Sequence, residues 1–352
     1  MDWRQNVRTA EPYVPGDQPD KKGMIKLNTN ECPYPPAPGV AQAARDFACG
    51  SLRLYPDPAC GLLTGALADY YHVGPEQVFV GVGSDDVLAM CFLTFFHSDR
   101  PILFPDVTYS FYDVWARLYR IPYRTCPLDE SFRIVPEDYM QPNGGVIFPN
   151  PNAPTGILES IDTIEKIVKA NPGSMVIIDE AYIDFGGVSC LPLIEKYDNL
   201  LVVQTFSKSR SMAGCRIGFA IGNAETVRYL NDVKFSFNSY TMSRLSLSLG
   251  AEAVRDRAYF EETTAKIIRT RERVKKELAA LGFSFTDSMG NFIFASHGRI
   301  PAKQIFEALR AHDIYVRYWE KPRISNYLRI SVGTDEEMDR LTDFLREYLQ
   351  GV

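Results

Sequence analysis

Histidine is scarce in this chain. The four present, at 72, 97, 297 and 312, fall in no spacing that would gather a metal ion. The seven cysteines, at 32, 49, 60, 91, 126, 190 and 215, are odd in number and include no Cys-x-x-Cys pair. That usage suits reduced thiols in a cytoplasmic protein. Long apolar runs are missing as well. The longest, Val87 to Phe96, is too short to cross a bilayer. The opening MDWRQNVRTAEPY has no apolar core of a secretory signal. Nor is there an excess of positive charge. Lys and Arg total 38 against 44 Asp and Glu, a formal net charge of −6. A general nucleic-acid binder needs a basic face and is excluded on that ground, whereas small basic pockets for anionic ligands are not. Internal repeats and low-complexity tracts are absent.

What remains is the composition of an ordinary globular enzyme, with 45% hydrophobic and 23% charged residues over a length that permits two or three domains. Residues 1–45 are rich in proline and polar side chains and read as an arm with few regular elements. From there to about residue 240, short apolar strands alternate with helices. The strands are QVFVGVG (77–83), PILFPD (101–106), YRTCPL (123–128), VIFPNP (146–151), MVIID (175–179), LLVVQTF (200–206) and RIGFAIG (216–222). Helices are expected near 59–72, 84–96, 109–119 and 160–170. Such alternation predicts an α/β domain with a mostly parallel sheet. Beyond 240 the texture changes to long charged helices over 243–281, then NFIFAS, YVRYW and YLRISVG as strands, a helix over 301–312 and a terminal helix from Asp335. This segment, 241–352, predicts a smaller α+β domain.

Two of the predicted strands end on chemistry. MVIID closes on Asp179, and LLVVQTF runs into Ser207 and Lys208. Ligands of open α/β sheets sit at strand carboxyl ends. A carboxylate and an amine delivered there together are what pyridoxal phosphate requires: the amine forms a Schiff base with the aldehyde, and the carboxylate keeps the ring nitrogen protonated. Each residue also has a plain structural reading. Lys208 alone is a solvated surface lysine, but Thr205, Ser207 and Ser209 around it suit a phosphate, and Arg216 follows eight residues on. Asp179 could form a structural ion pair or cap a helix; Tyr182, three residues later, could place its hydroxyl on the ring oxygen O3′ or simply pack.

The turn GVGSDD (81–86) joins a strand to a helix and offers the backbone N–H groups of Ser84 and Asp85 to a phosphate, although its acids equally complement the helix dipole. Tyr109 could stack on a ring or belong to the core. NPNAPTG (150–156) holds Ala153-Pro154, a candidate cis bond in a tight turn. Arg317 and Arg329, on predicted strands, either pair structurally or form forks for carboxylate or phosphate.

The motifs GVGSDD, PDVTYSFY, NPNAPTG, IDEAYIDF, TFSKSRSMAGCRIG and YLRISVGT occur in that order, with EPYVPG, KLNTNE and LYPDPACGLL before them. Together they resemble the fold-type I pyridoxal-phosphate aminotransferases, and most closely the histidinol-phosphate aminotransferase family, over nearly the whole chain. The resemblance implies a large cofactor-binding domain (46–240), a small C-terminal domain (241–352) and an arm (1–45) that serves as substrate lid. It implies Lys208 as the Schiff-base lysine, Asp179 on the pyridine nitrogen and Tyr182 on O3′. Ser84, Asp85, Thr205, Ser207 and Arg216 would surround the phosphate, and Tyr109 the ring. Tyr13 and Asn30 would close over the substrate, Arg329 would hold an α-carboxylate, and Arg317 the distal anion. Tyr55 would reach the cofactor phosphate of a second subunit, making a homodimer with shared sites, although it could also pack on its own domain. Many members carry Asn before Pro-Thr-Gly; here Ala153 stands there, and Asn152 is the candidate replacement. The implied reaction is transamination between L-histidinol phosphate and 2-oxoglutarate, with no metal, membrane or nucleic acid involved. Another amino-acid aminotransferase, for instance an aromatic one, a threonine-phosphate decarboxylase or a non-enzymatic pyridoxal-phosphate regulator remain alternatives.

Overall fold

The structure is a computed structural model that describes residues 2–351. The N-terminal part contributes β1 (Ile25–Leu27), α1 (Pro38–Asp46) and α2 (Gly61–Tyr71). The alternating part follows as β2 (Val78–Gly81), α3 (Gly83–Phe95), β3 (Ile102–Pro105), α4 (Tyr112–Tyr119), β4 (Tyr123–Cys126), β5 (Gly145–Pro149), α5 (Ile161–Ala170), β6 (Val176–Asp179), β7 (Leu200–Thr205) and β8 (Gly218–Ile221). Then come α6 (Ala224–Phe237), α7 (Arg244–Arg255) and α8 (Arg257–Ala280). The chain ends with β9 (Phe283–Phe285), β10 (Phe292–His297), α9 (Ala302–Ala311), β11 (Ile314–Tyr318), β12 (Leu328–Ser331) and α10 (Asp335–Gln350).

The large sheet has the order β2-β8-β7-β6-β5-β3-β4. All its neighbours pair in parallel except β8, which runs against both β2 and β7. Every residue of β5, β6 and β7 is buried, as expected of strands covered on both faces, and this is why they read as unbroken apolar runs. Parallel pairing carries the ends of β3, β5, β6 and β7 to the same edge, where Asp106, Asn150, Asp179 and Ser207 emerge. The helix at the end of β2, α3, points its N-terminus at that edge; Asp86 fixes the turn by accepting from the Val82 N–H at 2.9 Å.

The second sheet, β1-β11-β12-β10-β9, is antiparallel apart from the β1–β11 pair. The arm therefore holds a strand and a helix that its composition does not announce. β1 is only three residues long, too short for a period to be legible, and α1 opens on Pro38 at the end of a proline-rich stretch that reads as loop. The helix α6 was likewise not anticipated, and the helix expected from 109 begins at Tyr112. Helix α7 packs on α1 and α2, and its Leu247, Ala253 and Val254 join the core under the large sheet. We propose on that ground that the second domain begins after α7 rather than at residue 241.

Among the described residues, no helix is long and apolar enough to cross a membrane, and no group of three His, Cys, Asp or Glu side chains is arranged for a metal ion.

Arg271 of α8 fastens the small sheet's side to the large one. It is 2% exposed and donates to Phe185 O at 2.8 Å and to Gly290 O at 3.0 Å. Arg271→Met keeps the stem but leaves both carbonyls unpaired. It should lower stability by roughly 2–4 kcal/mol in urea unfolding, the range for breaking a buried charge-assisted contact.

Candidate active site

Two cavities meet at the carboxyl edge of the large sheet. The inner one, about 180 Å³, is lined by Ser84, Asp85, Asp179, Ser207 and Arg216 among others. The outer one, about 410 Å³, opens toward the arm and the small sheet and includes Tyr13, Arg317, Trp319, Lys321 and Arg329. Thr29, Tyr109, Ala153, Tyr182 and Lys208 line both, so the two are continuous. Lys208 stands at the junction. Its Nζ donates to Thr29 O at 3.0 Å and lies 5.8 Å from the centre of the Tyr182 ring.

One end of the inner cavity is built for an anion. The first turn of α3 meets Ser207 and Arg216 there. Gly83 sits at φ +83°, and a Cβ on it would come within 2.4 Å of the Arg216 guanidinium; a Cβ on Gly218 would come within 2.3 Å of the Ser84 nitrogen. Glycine at both positions lets backbone donors and guanidinium crowd one spot. Arg216 also bridges to Asp85 Oδ2 at 3.2 Å, while Asp85 Oδ1 accepts from the Tyr109 hydroxyl at 2.6 Å. The Asp85 carboxylate is thus occupied by protein groups.

The opposite end carries Asp179, 4% exposed. Oδ2 accepts from the Tyr112 hydroxyl at 3.1 Å and Oδ1 from the Ala181 N–H at 3.2 Å. Burial pushes the carboxyl up to about 7, against the lowering influence of those two donors, and the nearby Asp85 and Glu180 push it the same way as burial. Asp179 has no cationic partner among the described residues. A site with an anion cradle at one end, an unpaired carboxylate at the other and an amine beside them fits the shape and charge of pyridoxal phosphate.

The outer cavity is rich in cations. Arg329 donates to Asn28 O at 2.9 Å, but its buried Nε finds no partner. Burial lowers its pKa, as does the neighbouring Arg317. Both guanidiniums lie against the Trp319 ring, each 5.2 Å from its centre. The one carboxylate of this wall, Asp106, is taken by Arg323 at 2.7 Å. Arg317, Lys321 and Arg329 therefore have no carboxylate partner among the described residues. Tyr13 leans over from the arm, stacked on Phe111 at 4.2 Å between ring centres.

Three expected site residues sit behind the cavities, and Tyr55, expected at a second subunit's site, lies outside those of its own chain. Asn152 does not line either cavity: its amide donates to Val107 O and Thr155 Oγ1, both at 3.0 Å, so it braces the loop while Ala153 faces the opening. Asn30 is buried behind Tyr182. It donates to the Tyr182 hydroxyl at 3.0 Å and accepts from Ser331, orienting the tyrosine; Asn28 and Thr29 line the cavity. Thr205 is one layer back, its hydroxyl bonded to Ser207 Oγ at 3.0 Å and to the Ser207 N–H at 3.1 Å. Tyr55 is 76% exposed and stacks on Tyr240, away from both cavities of its own chain. Conversely, the sequence did not single out Tyr112, Trp319, Lys321 or the Asp106–Arg323 pair. A second tyrosine one helical turn after Tyr109 was the available signal for Tyr112.

A parallel sheet with an anion cradle, a buried carboxylate and a lysine at its carboxyl edge defines a class, and sequence comparison agrees: a profile for aminotransferases of class I and II matches residues 22–345. The chain belongs to the class I and II aminotransferases. Within them it is 51% identical over 350 residues to a histidinol-phosphate aminotransferase of Lactococcus lactis subsp. cremoris (strain MG1363), covering 99% of this chain and 98% of that one. A histidinol-phosphate aminotransferase of Clostridium beijerinckii is 50% identical over 344 residues, covering 98% and 96%. The crystal structure of histidinol-phosphate aminotransferase from Sinorhizobium meliloti, solved with pyridoxal-5'-phosphate, superposes with a TM-score of 0.86 at 26% identity, covering 93% of this chain and 91% of that one.

The raised Asp179 carboxyl has a thermodynamic consequence in ligand-free protein. Its folded pKa, about 7, lies above the unfolded 3.8, so its contribution to stability is complete at low pH and is lost as pH rises through 7. At pH 8 the folded protein carries a buried, unpaired anion. Asp179→Asn should therefore be more stable than the parent at pH 8 by up to roughly 4 kcal/mol, the linkage value for a shift of this size. The gap should narrow toward pH 4, as followed by urea unfolding.

Proposed function

We propose that this chain is a pyridoxal-phosphate-dependent aminotransferase that exchanges an amino group between L-histidinol phosphate and 2-oxoglutarate, giving imidazole-acetol phosphate and L-glutamate, a step of histidine biosynthesis. The observation that carries the substrate reading is the outer cavity, where Arg317, Lys321 and Arg329 stand free of carboxylates beside Lys208. Glutamate brings two carboxylates to such a wall, and histidinol phosphate brings one doubly charged phosphate and a flat imidazole. Two guanidiniums beside Trp319 suit the first, and the same guanidiniums with the Trp319 and Tyr13 faces suit the second.

The inner cavity residues would hold the cofactor: the α3 N-terminus at Ser84 and Asp85 with Ser207 and Arg216 at its phosphate, Asp179 at the ring nitrogen, Tyr182 at O3′ and Tyr109 along the ring. Pyridoxal phosphate, when bound, supplies an aldehyde that takes up the donor amine and a ring that draws electrons from the adjacent C–H bond. The chain does the rest. Asn30 fixes the Tyr182 hydroxyl. Arg329 orients the substrate so that its Cα lies near Lys208, whose Nζ takes the Cα proton. Tyr13 and the arm keep water from that proton. The seven cysteines are unpaired, which supports a reducing, cytoplasmic setting.

Steady-state kinetics with a panel of donors checks the substrate. The kcat/KM for histidinol phosphate should exceed that for phenylalanine at least tenfold, with threonine phosphate transaminated or inert and never decarboxylated. A preference for phenylalanine, or CO2 from threonine phosphate, would move the chain to one of the alternative reactions.

We also propose a homodimer with shared sites. Leu52, Leu54, Tyr55, Phe235, Phe237 and Tyr240 are exposed apolar side chains. The loop bearing Tyr55 is held outward by its own chain: Arg244 Nε donates to Leu54 O at 3.2 Å and Tyr55 O at 3.1 Å, and buried Lys234 donates to Pro58 O at 3.0 Å. A tyrosine supported from behind and free in front is placed to reach another subunit, and a two-fold axis makes the exchange reciprocal. Tyr55→Ala and Lys208→Ala chains, each nearly inactive alone, should regain activity on mixing, because the mixed dimer contains one intact site. Confirmed mixed dimers without recovered activity would rule out sharing.

A further inference from the structure

The reading of Asp179 as the partner of the cofactor's ring nitrogen leaves one neighbouring group without a role. Tyr112, the first residue of α4, is fully buried. Its ring lies among Phe92, Phe104 and Trp115, with centroids 6.2, 5.8 and 6.4 Å away. In that company a phenylalanine would pack as well and would bury no hydroxyl. The hydroxyl bonds only to Asp179 Oδ2, at 3.1 Å. The other carboxylate oxygen is held by the Ala181 N–H at 3.2 Å. One donor per oxygen fixes the plane of the carboxylate and still leaves lone pairs for a third donor. Without the hydroxyl, Oδ2 would lose its side-chain donor, and the carboxylate would keep the Ala181 N–H as its single tether.

We infer that Tyr112 is a positioning residue, whose hydroxyl holds the Asp179 carboxylate in place as acceptor for the ring nitrogen of bound pyridoxal phosphate. Its influence reaches the cofactor only through Asp179. Donation to a carboxylate favours the charged form, so the hydroxyl also helps Asp179 remain the base of that pair against burial and the nearby Asp85 and Glu180. The inference rests on the Asp179 assignment proposed above, and the test separates the two.

The measurement is a double-mutant cycle on cofactor binding, with Tyr112→Phe, Asp179→Asn and the double variant. Pyridoxal phosphate labelled with nitrogen-15 in the ring is titrated into each cofactor-free protein, giving a Kd from absorbance and the protonation of the ring nitrogen from its NMR shift. In the parent background, removing the hydroxyl should weaken binding on the order of tenfold, the size of one charge-assisted hydrogen bond, and move the nitrogen signal toward the unprotonated form. In the Asp179→Asn background the same removal should change Kd less than twofold and leave the signal unmoved. A merely structural tyrosine would change Kd by the same factor in both backgrounds and would not move the nitrogen signal in either; that result overturns the inference. If Asp179→Asn perturbs both readings while Tyr112→Phe in the parent perturbs neither, the Tyr112 inference falls and the Asp179 assignment stands. If Asp179→Asn alone leaves both readings at the parent values, the assignment falls and takes this inference with it.

Discussion

The buried, unpartnered carboxylate at the end of β6 is the constraint around which the site is organised. A charge in that position is unfavourable unless a cation or several donors face it. Among the described residues the fold supplies two donors and no cation. The surrounding protein must therefore be rigid enough to keep the group buried, and the fully buried strands β5, β6 and β7 provide that rigidity. A ligand with a protonated ring nitrogen supplies what the fold withholds.

The outer cavity follows the same logic with the sign reversed. Cations outnumber anions along its wall, and among the described residues the one carboxylate there is already engaged by Arg323. Arg329, with a buried Nε that lacks a partner, is the counterpart of Asp179. Both groups lie ready for partners that arrive from solution, and Lys208 stands where the two requirements meet.

Much of this was legible in the sequence because strand ends in a parallel sheet are marked by where an apolar run stops. Asp179, Lys208 and Ser84 follow directly from that rule, and the ordered motifs around them carried the resemblance. Side-chain direction was not legible. Asn30, Asn152 and Thr205 lie in the right loops, yet each is turned one layer back, holding Tyr182, Val107 and Ser207 respectively. A loop sequence gives the identity of its residues but not which of them faces the opening. Helix α6 escaped because its buried set includes Thr226 and Lys234 beside Val227 and Leu230, so its apolar stripe is interrupted. The antiparallel entry of β8 was equally silent, since direction is set by the pairing partners and not by the strand's own residues.

The segment from β1 to Thr29 belongs to two neighbourhoods. Leu27 is in register with Val316 on β11, next to Arg317. Two residues on, the Thr29 carbonyl receives the Lys208 amine. A displacement of the small sheet is therefore felt at the amine through only a few bonds of backbone. The distance between the small sheet's arginines and the large sheet's lysine is set by a short covalent gauge, and it does not depend on the slack of the arm that precedes it.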